Sequence, residues 1–188
     1  MDLLDNIIFN PSKLVISIGE IDAGWMDITL TTNTKSIDYM VSYVCDPVND
    51  LLINFSKLIT GHPIEVNPFL KLDNLFHVIH DCEGQLITRV IIKENDKLKI
   101  LIWENQYDVL DWIRLGFSAK EIYFYEEIPN INDCLIFAID SSISDFAQTL
   151  VNCIQQLKNK EEFLIYKESW GYEFDEDAFK KIESYLEK

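Results

Sequence analysis

Apolar residues change their spacing in blocks along the chain, and each spacing names an element. From about residue 13 to 45 they alternate with polar ones: Leu14, Ile16 and Ile18, then Met26, Ile28 and Leu30. Successive side chains of a strand point to opposite faces, so a period of two predicts half-buried strands. Gly19 to Gly24 reads as the turn between the first two strands. Thr32-Asn33-Thr34 reads as the turn before a third, across Ile37 to Val44.

The period then lengthens. Val48, Leu51, Leu52, Phe55, Leu58 and Ile59 follow the i, i+3, i+4, i+7 rule of a helix with one apolar face. Asp46 suits the N-cap, Pro47 the first helical position and Gly61 the C-terminal stop. From Leu75 to Trp103 runs rich in β-branched residues (Ile87, Val90, Ile91, Ile92, Ile100, Ile102) are separated by Glu83-Gly84 and Asn95-Asp96. That pattern predicts a three-stranded meander.

Beyond it the spacing predicts a short helix over Asp108–Leu115 and strands over Glu121–Ile128 and Cys134–Asp140. A second long helix follows from about Asp145 to Asn159, with Phe146, Leu150, Val151, Ile154 and Leu157 inward. The C-terminal region reads as helical, with Phe179, Ile182, Tyr185 and Leu186 on one stripe and Asp175 as its cap. Short turns between strands mean mainly antiparallel pairing. The expected fold is therefore α+β, a sheet of six to eight strands with amphipathic helices packed on it. No linker, repeat or low-complexity tract interrupts the 188 residues, so 1–188 reads as one domain.

Charge changes the picture most. Sixteen basic residues against 32 acidic ones give a net charge of −16, which argues against nucleic acid or an anionic membrane surface as partner. Spread over a surface of about 9,300 Å², that is one net charge per roughly 580 Å². A standard interface face of about 800 Å² would carry only about −1.4, so steering of a cationic partner needs clustering. One such cluster lies between Lys120 and Lys158, where there is no Lys or Arg but Glu121, Glu126, Glu127, Asp133, Asp140 and Asp145. Alternation over 121–127 would place Glu121, Tyr123, Tyr125 and Glu127 on one strand face, an arrangement suited to Arg and Lys of a partner. Trp170, Tyr172 and Glu173 form a second candidate, ahead of the final helix.

Signatures of chemistry are sparse. His77-x-x-His80-x-Cys82 is the one cluster of soft ligands, but in a strand the odd offset sends the two histidines to opposite faces, so no metal site is expected. Gly19-Glu20-Ile21-Asp22-Ala23-Gly24 has phosphate-loop glycine spacing, yet Trp25 stands where lysine is needed and two carboxylates would repel phosphate. No nucleophile elbow or triad context appears, and no cofactor is expected. The N-terminus has neither the cationic start nor the apolar run of a signal peptide. Cys45, Cys82, Cys134 and Cys153 are accordingly expected to be reduced and the protein cytoplasmic.

Trp25 in a strand, then Ser42-Tyr43-Val44-Cys45-Asp46-Pro47 running into a leucine-rich helix that stops at Gly61, resembles a pattern in many small bacterial proteins. Trp170-Gly171-Tyr172-Glu173-Phe174 before an amphipathic helix is similar to segments of immunity proteins from bacterial polymorphic toxin and contact-dependent inhibition systems. The two patches cover about a quarter of the chain. The resemblance implies an acidic, non-catalytic binder that neutralises a basic toxin domain, often a nuclease, and it carries over no catalytic residues. The free protein is expected to be a monomer or a homodimer. Two other readings compete: a self-associating structural or regulatory subunit, and a carboxylate- or metal-dependent enzyme.

Overall fold

The computed structural model describes residues 7–22, 24–42, 46–61, 75–82, 85–105, 135–159, 161, 163, 164, 166, 168 and 174–188. Among them are eight strands and three helices. In chain order these are β1 (Asn10–Pro11), β2 (Val15–Asp22), β3 (Trp25–Thr31), β4 (Ser36–Ser42), α1 (Pro47–Thr60), β5 (Leu75–Cys82), β6 (Gln85–Glu94), β7 (Lys97–Asn105), β8 (Leu135–Ser142), α2 (Ile143–Lys158) and α3 (Glu176–Leu186). The fold is α+β. Its strands form two sheets, one in the order β1-β8-β7-β6-β5 and a three-stranded meander β2-β3-β4. Every pairing is antiparallel except that of β1 with β8.

One contiguous core joins these parts. Ile16, Ile18, Ile21, Met26, Ile28, Leu30, Tyr39 and Val41 from the meander meet Leu98, Ile100, Ile102, Phe137 and Ile139 from the larger sheet. The helices close it with Leu51, Leu52 and Phe55 of α1, Phe146, Leu150 and Ile154 of α2, and Phe179 and Ile182 of α3. Phe55 and Phe146 meet edge to face, their ring centroids 5.1 Å apart, a geometry that aligns ring edge with ring face. Thr149, buried on α2, donates from its hydroxyl to the Leu14 carbonyl at 2.6 Å, tying that helix to the start of β2.

The helix signals read from sequence act as caps. Asp46 accepts from the Asn49 amide at 3.0 Å, and Gly61 adopts φ 71°, turning its N–H back to the Lys57 carbonyl. Asp175 accepts from the Ala178 amide at 2.8 Å and starts α3. Each cap satisfies amides or carbonyls that a helix end would otherwise leave unpaired. The second long helix begins two residues before the expected Asp145. The Ser142 hydroxyl accepts from the Asp145 amide at 2.9 Å and donates to the Asp145 carboxylate at 2.7 Å, a reciprocal cap that the apolar period alone does not reveal. The preceding strand runs over Leu135–Ser142, two residues past the expected Asp140, and the third strand of the meander, Ser36–Ser42, starts one residue before the expected Ile37; the expected bounds Cys134 and Val44 lie outside the described residues. The expected helix over 108–115 and strand over 121–128 lie outside the described residues.

One expectation fails. Gly19 to Gly24 is not a turn: β2 continues through Asp22, and the chain reverses only at Gly24, whose φ is 87°. The strand persists because it carries a bulge. Ile18 pairs with Ile28 and Ile21 with Met26, so β2 spends one extra residue there. That residue keeps both Ile18 and Ile21 in the core while Gly19 and Glu20 face outward. Glycine is required by space: a Cβ at Gly19 would stand 2.9 Å from the Asp27 Cβ.

Gly19→Ala is expected to destabilise the protein by about 1–2 kcal/mol through overpacking, although alanine ordinarily improves a strand by about 0.5–1 kcal/mol over glycine. A lower urea midpoint with unchanged denaturant dependence is the expected result.

Candidate functional site

The meander is buried on one side, so its alternation fixes what the other side shows. Facing outward are Val15, Ser17, Gly19, Glu20 and Asp22 from β2, Trp25, Asp27, Thr29 and Thr31 from β3, and Ser36, Asp38 and Met40 from β4. Four of these are carboxylates, and no Lys or Arg occurs in the three strands. With strands about 4.8 Å apart and about 3.3 Å per residue, the face spans roughly 340 Å². At the average density of this chain such an area would hold a net charge of about −0.6. It holds −4. The nearest lysine in sequence, Lys35 in the β3–β4 turn, places its ammonium 5.8 Å from the Phe137 ring centroid.

Register sorts the face into two ends. At one end Thr31 pairs with Ser36 and Thr29 with Asp38, and the side chains bond across the strands: Thr29 donates to Asp38 at 2.6 Å, and the Thr31 and Ser36 hydroxyls lie 2.9 Å apart. That end is internally satisfied. At the other end Asp22 pairs with Trp25 and Asp27 with Met40. Glu20, Asp22, Trp25, Asp27 and Met40 line an open hollow of about 330 Å³. Among the described residues its three carboxylates make no ion pair; Trp25 is half-buried and Met40 is 52% exposed. The bulge contributes directly, since without the extra residue Glu20 would not reach this side. Chemically this is an anionic, partly apolar surface, one that can accept hydrogen bonds from a guanidinium and lay its apolar stem on an indole.

A second polar cluster is internal. The Tyr166 hydroxyl, fully buried, donates to Asp46 Oδ2 at 2.5 Å, across 120 residues of sequence. Asn49 Oδ1, one turn into α1, accepts from the Asp175 amide at 2.9 Å and so ties the start of α3 to the start of α1. Burial pushes the Asp46 carboxyl above the ordinary carboxylate range, against hydrogen bonds from Tyr166 and the Asn49 and Val48 amides that pull it down. Burial also raises Asp50, as does the charge of Asp46. The Tyr166 phenol lies far above its usual value, through burial first and then through the adjacent Asp46. Ring contacts around it (Phe163 on Tyr166, Phe174 on Phe163 and on Phe179) make this cluster part of the packing of the C-terminal segment.

The residues singled out from sequence, Glu121, Tyr123, Tyr125, Glu127, Asp133, Trp170, Tyr172 and Glu173, all lie outside the described residues. The segments that carry Glu20, Asp22, Trp25, Asp27, Asp38 and Met40 are free of basic residues in the sequence itself, but only the strand register shows that these residues share a face. From Lys13 to Lys35, and again from Lys35 to Lys57, there is no basic residue. A turn over Gly19 to Gly24 would separate Glu20 and Asp22 from Asp27, whereas the bulged strand puts all three on one face. Among the described residues no group of His, Cys, Asp and Glu is arranged to hold a metal ion. No described helix is long and apolar enough to cross a membrane, and Cys153 is buried in α2. No protein-family model matches the chain, and neither a curated protein nor a solved structure matches it.

Tyr166→Phe removes the hydroxyl donor and leaves a buried carboxylate short of one hydrogen bond. The expected cost is about 1–3 kcal/mol in chemical denaturation. Exposed Asp38→Ala, which loses only the bond from Thr29, is expected to cost less than about 1 kcal/mol.

Proposed function

We propose that the protein is a non-catalytic binding protein whose acidic β2-β3-β4 face takes a cationic protein partner. The observation that carries this reading is the concentration of Glu20, Asp22, Asp27 and Asp38 on one sheet face with no basic residue in its strands, beside half-buried Trp25 and exposed Met40. Carboxylates in such numbers attract a basic surface at long range and raise the encounter rate. Trp25 and Met40 then supply the apolar contact that holds it, because charge alone, screened by salt, contributes little at an exposed site. The sequence resemblance to immunity proteins of polymorphic toxin systems gives the partner a specific identity under this reading: a basic toxin domain, such as a nuclease, neutralised by direct binding in the cytoplasm. Glu121, Tyr123, Tyr125, Glu127 and Asp133 extend the same proposal to a second acidic and aromatic segment, with Trp170, Tyr172 and Glu173 as a third.

The experiment is binding to the product of the adjacent gene, followed by charge reversal. Glu20→Lys with Asp27→Lys is expected to weaken binding at least tenfold, chiefly through slower association, and to flatten its dependence on salt. Equal affinity and salt dependence in the double variant would remove the meander face from the account. The same loss from Glu121→Lys with Glu127→Lys instead would move the contact to that segment.

A further inference from the structure

Between the C-terminal end of α1 and the outer side of α3 lies an open hollow of about 630 Å³. Its charge is opposite in sign to that of the molecule. Lys180 and Lys181 of α3 and Lys188 just beyond it line the hollow, and Asp177 is the one acidic side chain among the lining residues. Three ammonium groups against one carboxylate leave a local charge of +2 in a chain whose net charge is −16. Ser184 and Tyr185 add hydroxyls, and Ile59 an aliphatic wall.

No packing or pairing among the described residues uses these lysines. All three are exposed, and none forms an ion pair there. By contrast Lys97, Lys99 and Lys158 each hold a carboxylate, at 3.1, 2.8 and 2.7 Å. Helix geometry explains the difference. At 3.6 residues per turn Lys180, Ser184, Asp177 and Lys181 share a stripe about 100° wide on α3, and Glu176 and Glu183 lie to one side of it. Those two carboxylates are turned to α2: Glu176 takes the Lys158 ammonium at 2.7 Å, and Glu183 accepts from the Gln155 side-chain amide at 3.3 Å. The carboxylates one turn from Lys180 are therefore engaged elsewhere. Nor are the lysines needed to close α1. The Gly61 N–H already returns to the Lys57 carbonyl, and the Thr60 hydroxyl donates to the Ser56 carbonyl at 2.7 Å.

We propose that this hollow binds a small, multiply charged phosphate anion, such as pyrophosphate or the phosphate chain of a nucleotide. Lysine ammonium groups are compact charges with three donors each, suited to phosphate oxygens. Ser184 and Tyr185 supply uncharged donors beside them. The volume lies within the range of about 300–1,000 Å³ typical of small-ligand sites. At about 30 Å³ per water it holds far more than one phosphate group. The rest of the molecule sets the upper limit on size. A nucleic-acid strand or an anionic bilayer would lie across acidic surface as well and be repelled. A small anion responds only to charges within about 10 Å, beyond which salt screens them.

Amide chemical-shift mapping of the intact protein with pyrophosphate, tripolyphosphate and a nucleoside triphosphate tests this, without divalent cations and against sodium chloride at matched ionic strength. Saturable shifts are expected at Thr60, Lys180, Lys181, Ser184 and Lys188. Equal affinity for tripolyphosphate and the nucleotide identifies the phosphate chain as the whole ligand, whereas tighter binding of the nucleotide places its nucleoside against Ile59 and Tyr185. Lys180→Gln with Lys181→Gln, two exposed positions, is expected to weaken binding about tenfold or more. Lys97→Gln, which removes the same kind of charge from the larger sheet, is expected to leave it unchanged. Shifts no greater than those with sodium chloride, shifts shared equally by lysines outside the hollow such as Lys13 and Lys35, or an unchanged affinity in the double variant would each overturn the proposal.

Discussion

A sheet buried on one side only leaves its other side to be written by the alternate residues, and this constraint shapes the molecule more than any single contact. In the meander, Ile16, Ile18, Ile21, Met26, Ile28, Leu30, Tyr39 and Val41 are committed to the shared core. The alternate residues Ser17, Asp27, Thr29, Asp38 and Met40 are thereby committed to the outer face, whatever their chemistry. The bulge after Ile18 shows how firmly the inward set is held: the strand takes in an extra residue rather than turn Ile21 outward. Glu20, Asp22, Asp27 and Asp38 gather on one side as a consequence of that commitment. Gly19 is the position at which the backbone gives up a side chain so that Asp27 can occupy the space.

The two polar features of the structure differ in kind. On the meander face the carboxylates are solvated and repel one another weakly. Their energetic meaning lies in the field they project, which screening limits to about 10 Å. At the junction of α1 with the C-terminal segment, one carboxylate is enclosed with a tyrosine, and its meaning lies in the cost of removing it from water. Charge count alone does not separate these cases. Burial does: Asp46 is enclosed, while Asp22, Asp27 and Asp38 are open to solvent.

Much of the architecture is legible in the sequence, because local signals and global packing agree. Asp46-Pro47 and Gly61 bound α1 where capping chemistry says they should, and the two-residue reversal at Asn95-Asp96, with Asn95 at φ 56°, joins β6 to β7. The parts that were not readable have identifiable causes. A bulge breaks the period of two, so Gly19-Glu20 imitates a turn. A reciprocal cap at Ser142 and Asp145 lies upstream of the first strongly periodic residue, so α2 starts earlier than its apolar stripe. The buried Asp46–Tyr166 bond spans 120 residues, and nothing local in either segment announces it. The acidic face was hidden for a related reason: its members come from three strands, and only the register brings them together.

The most direct test of the central claim, that the outer side of the meander receives a cationic partner, is amide chemical-shift mapping with a short arginine-rich peptide at low and high salt. Shifts are expected to concentrate at Glu20, Asp22, Trp25, Asp27 and Met40 and to shrink together as salt is added. Shifts scattered over all acidic surface, or centred elsewhere with this group unmoved, would contradict it.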